Sequence, residues 1–218
     1  MKSFYNYLIC LLVSTTLSNQ AVAQDTLGGK IATLLDLSQS SGALPATISN
    51  AGENRGASFN GRYLFIASRT GGNNVQYLDV SNILSGPKSL NMTGVGGGTF
   101  VISDIVTSAN NIIVSNMATK GGVFKVYHWN NLDSISQLLL QVDNAPERLG
   151  DAISLIGDPS KQAHLIVSGH GSKSFFIWEI VSGTIPNKTP KVVTIDAFAN
   201  VNFCRITKVP GEDMYIAS

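Results

Sequence analysis

Short apolar runs alternate with polar segments rich in glycine and asparagine, and no long stretch has the 3.6-residue period of an amphipathic helix. Four apolar runs share one pattern, since each is rich in β-branched or aromatic residues and ends in small polar ones. They are residues 64–68, 112–116, 165–169 and 214–218. Their first residues are 48, 53 and 49 positions apart. This spacing predicts a repeat of about 50 residues that is built around a buried strand.

Each repeat contains further candidate strands. A second apolar run follows the first after a polar or glycine-bearing turn, which is typical of a β-hairpin. The second runs are 75–80, 124–129 and 175–180, the runs that precede the first ones are 56–59, 105–107, 152–155 and 206–209, and the fourth runs are 89–92, 137–142 and 191–195. Four strands per repeat is the number found in one blade of a β-propeller. The pattern therefore predicts an all-β fold, a partial β-propeller with about three four-stranded blades and the start of a fourth.

The two ends of the predicted propeller need separate interpretation. Residues 31–37 predict one strand, and residues 24–54 are interpreted as an N-terminal strand and loop that closes the last blade of a ring. Residues 55–218 would form an incomplete propeller domain, because closed propellers have about four to eight blades. An open arc would expose apolar blade faces. We therefore expect an N-terminal fragment of a longer protein; the alternative is an arc completed by a second chain.

The first 23 residues have the three parts of a secretory signal. Lys2 supplies the positive start, residues 7–17 supply the apolar centre, and residues 21–23 (Ala-Val-Ala) form a small-residue cleavage site. The alternative is a membrane anchor, but the apolar centre is shorter than the roughly 20 residues that cross a bilayer. The sequence predicts a signal peptide over 1–23, a mature chain from Gln24, and export to the periplasm, the cell surface or the medium.

Composition restricts the partners. Charged residues make up 13% of the chain and the formal net charge is +1, so no overall field attracts nucleic acid or an anionic membrane. No apolar run reaches 18 residues, and no stable membrane span is expected after signal cleavage. Cleavage also removes Cys10 and leaves Cys204 alone, which predicts a fold held by its core rather than by disulfide bonds.

Several motifs resemble a known family of uncharacterised secreted bacterial β-propellers, carried as a domain of unknown function. The motifs are 55–60, 67–72 with 77–80, 94–100 with Ser103 and Asp104, 124–129, and 147–151. The resemblance covers residues 55–218 in the expected order. It implies a propeller and an exported protein. The style of the signal sequence and the composition suit a Gram-negative bacterium of the Bacteroidetes kind. Family members continue through further blades, and the resemblance implies no particular reaction.

Charged residues recur at the start of the predicted innermost strands, at Arg55, Asp104, Asp151 and Arg205. Equivalent positions in a ring converge near one end of its axis, where propeller ligands bind. One interpretation is a ring of mixed sign that binds a saccharide or a peptide. The other is that each charge pairs with a neighbour or with turn amides and holds the blades in register.

A second set of candidates follows the next strand of each repeat, at Arg69, Met117 and His170. These are interpreted as equivalent loop residues which, if exposed, would line the opposite edge of the blades. The predicted ligand-binding residues are Arg55, Arg69, Asp104, Asp151, His170 and Arg205. The three histidines have no partner at metal-ligand spacing, so neither a metal nor a cofactor is expected.

Two functions remain open at this stage. The first is a non-catalytic exported propeller that binds a glycan, a peptide or a protein partner through its loop face. The even repeats, the low charge and the lack of a catalytic motif favour it. The second is a propeller hydrolase or lyase acting on a polysaccharide, with Asp104, Asp151 and His170 in the channel, because two facing acids can cleave a glycosidic bond.

Overall fold

The computed structural model describes residues 53–69, 72–209 and 211–218, and these residues form an all-β fold. The strands, in chain order, are β1 (Asn54–Phe59), β2 (Tyr63–Ser68), β3 (Asn74–Asp79), β4 (Lys88–Ser89), β5 (Phe100–Ser108), β6 (Asn111–Met117), β7 (Phe124–Trp129), β8 (Gln137–Val142), β9 (Ile153–Asp158), β10 (Gln162–Ser168), β11 (Ser174–Val181), β12 (Lys191–Thr194), β13 (Ile206–Lys208) and β14 (Tyr215–Ala217). Within the described residues the helical content is one 3-10 turn, Ile83–Ser85. The predicted signal sequence and the predicted strand at 31–37 lie outside them.

These strands form four antiparallel sheets. The first three have four strands each, in the orders β1-β2-β3-β4, β5-β6-β7-β8 and β12-β11-β10-β9, and the fourth pairs β13 with β14. Each sheet is a meander, since hydrogen-bonded neighbours are consecutive in sequence. The all-β class and the four-strand repeat predicted from the sequence are confirmed. The predicted run at 89–92 is too long, because β4 covers Lys88–Ser89 alone, and β5 begins five residues earlier than predicted.

Apolar side chains fill the space between consecutive sheets. Between the first and second sheets lie Phe65 and Val75 against Ile105 and Trp129. Between the second and third sheets lies a larger cluster that includes Trp178. The second sheet is therefore covered on both faces, which explains why every residue of β6 is buried. Its continuous apolar sequence is what a strand buried on two sides requires.

The sequence repeat reappears as hydrogen bonds between neighbouring sheets. Several of them join residues 49 positions apart: Ser58 Oγ to Thr107 Oγ1, Asn60 Nδ2 to the Ala109 carbonyl, Ser108 Oγ to the Gly157 carbonyl, the Ile153 amide to Asp104 Oδ2, and Lys188 Nζ to the Leu139 carbonyl. The first strands of successive sheets, β1, β5, β9 and β13, also contact one another in that order. Equivalent positions of neighbouring repeats therefore lie side by side.

The third and fourth sheets leave an apolar groove between them. It has a volume of about 320 Å³, and Ile166, Phe175 and Ile177 of the third sheet line one side of it. Ile206 and Tyr215 of the two-stranded fourth sheet line another. At the other two interfaces, a four-stranded sheet covers the corresponding face. The outer strands of the third sheet are thus less covered than those of the first two.

Candidate functional site

All six predicted ligand-binding residues lie near one end of the strands, where the first strand of each sheet begins and the second strand ends. We call this end of the sheets the charged edge. In an antiparallel pair the start of one strand lies beside the end of the next. Arg55, Asp151 and Arg205 lie near or just before the start of a first strand, whereas Arg69 and His170 follow the second strands. Asp104 does not begin its strand as predicted: it is the fifth of the nine residues of β5, and its carboxylate reaches the first residue of β9. The prediction that Arg69 and His170 line the opposite edge is therefore wrong. Met117 is also not a loop residue, since it is the last residue of β6 and is buried.

Asp104 belongs to the second sheet and connects it to the other three from a fully buried position. Its Oδ2 accepts a hydrogen bond of 2.7 Å from the Ile153 amide of the third sheet. Its Oδ1 contacts the Arg205 guanidinium just before the fourth sheet. The same oxygen lies against Gly56 of the first sheet, where a Cβ would come within 2.2 Å of it. Only glycine at position 56 therefore allows β1 to approach this carboxylate.

Burial raises the pKa of Asp104 to about 6. The nearby Arg205 charge and the hydrogen bonds from the amides of Ile153 and Ile105 act in the other direction, but they do not offset the loss of solvation. The Arg205 side chain remains 36% exposed, so it brings a solvated charge to an interior acid. This contact joins residues 101 positions apart, in sheets that are not neighbours.

Asp151 is held by the connector between the second and third sheets. Arg148 donates two hydrogen bonds to it, from Nε to Oδ2 at 2.7 Å and from Nη2 to Oδ1 at 2.6 Å. The Asp151 side chain is 2% exposed. Two isolated antiparallel β-bridges hold this connector in place. Leu149 pairs with Ala118, which directly follows β6, and Arg148 pairs with His170. The geometry is the fork-to-fork pairing that arginine makes with a carboxylate.

His170 lies beside Asp151 without a hydrogen bond between them. Its Nδ1 is 3.8 Å from Asp151 Oδ2, is buried, and has no hydrogen-bond partner. The imidazole packs edge-to-face on Phe203, with ring centroids 5.2 Å apart. Phe203 itself has a φ of 56°, which is unusual for a bulky residue, and its side chain is 52% exposed. An aromatic ring is therefore held out at this edge in a strained backbone conformation.

Arg55 and Arg69 are placed differently from the other two arginines. The Arg69 guanidinium lies over the Phe100 ring, with Cζ 3.8 Å from the ring centroid, and its Nε donates to the Ile102 carbonyl at 3.1 Å. Partial burial lowers the pKa of Arg69 and the positive charge of Arg55 lowers it further, whereas the nearby carboxylates of Glu53 and Asp151 act in the opposite direction. Among the described residues, neither guanidinium forms an ion pair with a carboxylate.

The sequence predicts that the charged positions either bind a ligand or pair with neighbours and hold the sheets in register. The structure gives different answers for the two acids and for Arg55 and Arg69. Asp104 pairs with Arg205, and Asp151 pairs with Arg148, so these acids connect sheets through ion pairs and amide hydrogen bonds. Arg55 and Arg69 are left without an acidic partner among the described residues. Within this part of the chain, no group of three or more His, Cys, Asp or Glu residues is arranged to hold a metal ion.

Sequence reasoning missed Arg148, Phe100 and Phe203 at this edge. Arg148 stands three residues before Asp151, a spacing at which the two side chains of a short connector can meet. The sequence pattern does not identify Phe100 or Phe203 as part of a site, because nothing in the repeat distinguishes an exposed aromatic residue from a buried one. Their exposed fractions, 43% and 52%, appear in the fold alone.

Comparison with known proteins identifies similar chains. A family model described as a domain of unknown function, DUF4623, matches residues 27–205. No curated protein sequence matches the chain. In the described part of the chain, no helix has the length and apolar character needed to span a membrane.

Two solved structures superpose on part of this chain. A DUF4623 family protein from Bacteroides eggerthii DSM 20697 superposes with a TM-score of 0.67 and 22% sequence identity. The match covers 76% of this chain and 40% of that one, so this chain spans less than half the length of that relative. The computationally designed Ika4 protein gives a TM-score of 0.44 at 9% identity, covering 78% of this chain and 86% of the design.

Proposed function

The chain belongs to the DUF4623 family of domains of unknown function, and from this premise we propose that it is an exported, non-catalytic β-propeller that binds a glycan, a peptide or a protein through its charged edge. The observation that carries this proposal is convergence. Residues from four successive repeats meet at one edge, and they bring both charged side chains and exposed aromatic rings. Such an edge suits recognition of a polar ligand with an apolar face.

The propeller arrangement is supported by contacts between equivalent strands. The first strands of successive sheets touch one another in order, as the innermost strands of blades do around an axis. The contact of Arg205 with Asp104 brings together sheets that are not neighbours, which is favoured where strands converge.

We expect an experimental structure of the full-length protein to show a closed ring of four-stranded sheets, with β1, β5, β9 and β13 facing a central channel. The physical reason is that the second and third sheets have apolar side chains on both faces, and a ring covers such faces on every sheet. Crystallography or electron microscopy would test this. Sheets stacked in an open row, without a common axis, would contradict the propeller.

A hydrolase or lyase is the second candidate, and one observation favours it. The pKa of Asp104 is raised to about 6, which is the range of a general acid in glycoside cleavage. Both carboxylates, however, are nearly or fully buried, and each is engaged by an arginine. A catalytic acid must reach the scissile bond, so the arrangement favours binding over catalysis.

Loss of the exposed ring at the charged edge should weaken ligand binding. We expect Phe203→Ala and His170→Ala each to reduce affinity about tenfold. Each substitution removes a ring contact that contributes roughly 1 to 2 kcal/mol to the free energy of binding. Calorimetric titration of the full-length protein with neutral and acidic oligosaccharides and with peptides would measure this. Lys161→Ala, which changes a side chain 83% exposed at the other edge, is the control and should bind as the wild type does.

The same panel separates the two candidate functions. Release of cleaved sugar products by the wild type, abolished by Asp151→Asn at unchanged melting temperature, would support the enzyme and overturn the binding proposal. Equal loss of affinity in Lys161→Ala and Phe203→Ala would place any ligand away from the charged edge.

Export is tested separately by N-terminal sequencing of the mature protein. We expect the mature sequence to begin at Gln24.

A further inference from the structure

Two arginines of the charged edge lie close together, and neither forms an ion pair with a carboxylate of the described residues. The Arg69 amide donates to the Glu53 carbonyl at 3.0 Å, and Asn54 is paired with Ser68 across β1 and β2. Arg55 follows Asn54 directly, and Arg69 follows Ser68. Two like charges on adjacent strand ends repel each other. The carboxylates of Glu53 and Asp151 act against this repulsion from beyond ion-pair distance. An anion bound between the two guanidiniums would offset it directly.

The backbone directs one of these arginines outward. The pairing of β1 with β2 shifts its register between Asn54 and Gly56, so Arg55 is the extra residue of a β-bulge. β5 has a similar irregularity at the same edge, between Phe100 and Asp104. Bulges turn a side chain away from the regular alternation and are frequent beside functional sites. Arg55 is exposed as a result.

Exposed aromatic rings accompany the arginines. Arg69 lies over one face of Phe100, which holds the guanidinium in place, while Phe100 as a residue remains 43% exposed. Phe203 presents a second ring at the same edge, packed on His170. Sugar rings have C–H faces that pack on aromatic rings, whereas an inorganic anion has no such apolar face. The combination therefore favours a ligand that has both a sugar ring and a negative charge.

We propose that Arg55 and Arg69 bind the carboxylates of an acidic saccharide, such as a uronic acid polymer, while Phe100 and Phe203 pack against its sugar rings. This inference rests on the proposed binding function of the charged edge and names the ligand class. The planar guanidinium donates two parallel hydrogen bonds to a carboxylate, which gives arginine its preference for this group. Nucleic acid is a poorer candidate, since the formal net charge of the chain is only +1.

The test is titration of the full-length protein with oligogalacturonate and with its methyl ester, which has the same sugar rings without the charges. We expect the acid to bind at least tenfold more tightly than the ester. Arg55→Gln and Arg69→Gln should each reduce affinity for the acid about tenfold or more, because each removes charge-assisted hydrogen bonds. Affinity for the acid should also fall as salt is raised.

Arg62→Gln is the matched control. Arg62 is an arginine 63% exposed in the turn between β1 and β2, at the other edge, where it pairs with Asp79. It should leave the affinity for the acid unchanged. Equal binding of acid and ester would overturn the carboxylate inference while leaving the binding function in place. Failure to bind either saccharide, with peptides bound instead at the same edge, would overturn the saccharide class, and binding lost in Arg62→Gln would overturn the site.

Discussion

Asp104→Ala is expected to lower the free energy of unfolding by about 3 kcal/mol. The substitution removes the acceptor for the buried Ile153 amide and the partner of Arg205 at once. It also leaves space beside Gly56, where the carboxylate now fits. Because these contacts join the first, third and fourth sheets to the second, the loss should reduce the cooperativity between sheets. Chemical denaturation of the full-length protein measures it.

Asp79→Ala is the matched control for this prediction. Asp79 likewise pairs with an arginine, since it accepts hydrogen bonds from the Nε and Nη2 of Arg62 at 3.1 and 2.8 Å, and it accepts two more from the amide and hydroxyl of Ser81. That arginine is 63% exposed, so water replaces much of what the substitution removes. The control should therefore destabilise the protein much less than Asp104→Ala. Equal losses in both variants would show that Asp104 does not connect the sheets.

The pH dependence of Asp104→Asn separates the charge of Asp104 from its hydrogen bonds. The pKa of Asp104 is about 6 in the fold, above its ordinary 3.8. Between these values the folded protein binds more protons than the unfolded chain, so this group favours folding at low pH and loses that contribution as pH rises through 6. The melting temperature of Asp104→Asn, relative to wild type, should thus increase from pH 4 to pH 7. A constant difference would contradict the raised pKa.

The strands and their order could be predicted from the sequence, because a buried strand has a readable pattern and the pattern recurs. Residues 64–68 and 112–116 share this pattern, and both lie within second strands of their sheets. The 48 to 53 residue spacing then fixed which strands are equivalent, and the hydrogen bonds between residues 49 apart follow from it. Local patterns are sufficient where each sheet is built from consecutive strands.

The pairing of charges at the candidate site could not be predicted in the same way. Asp104 and Arg205 are 101 residues apart, and nothing local to either identifies the other as its partner. Arg148 forms the ion pair with Asp151, and the His170 Nδ1 lies 3.8 Å from Asp151 Oδ2 without a hydrogen bond. The placement of Arg69 and His170 was wrong for a simpler reason, since the antiparallel rule already places the end of a second strand beside the start of the first.

Gly150→Ala is expected to destabilise the protein by about 3 kcal/mol or more. Gly150 has a φ of +95°, a conformation that costs an L-residue about 1 to 2 kcal/mol. A Cβ at this position would also lie 1.9 Å from the carbonyl oxygen of Asn116. That oxygen belongs to the backbone of β6, a strand buried along its whole length, so it has little freedom to move away. The connector that carries Arg148 and Asp151 would have to shift instead.

Gly171→Ala distinguishes the two causes of this loss. Gly171 has a similar φ of +82°, but no heavy atom lies within 4 Å of the position its Cβ would take. It should therefore lose about 1 to 2 kcal/mol, which is the conformational cost alone. Thermal or chemical unfolding of both variants gives the difference, and that difference is the cost of the clash with β6. If Gly150→Ala loses no more than Gly171→Ala, the connector does not pack against β6 as closely as the contacts at Gly150 require. Asp151 would then owe its burial to Arg148 rather than to the close approach of the second and third sheets.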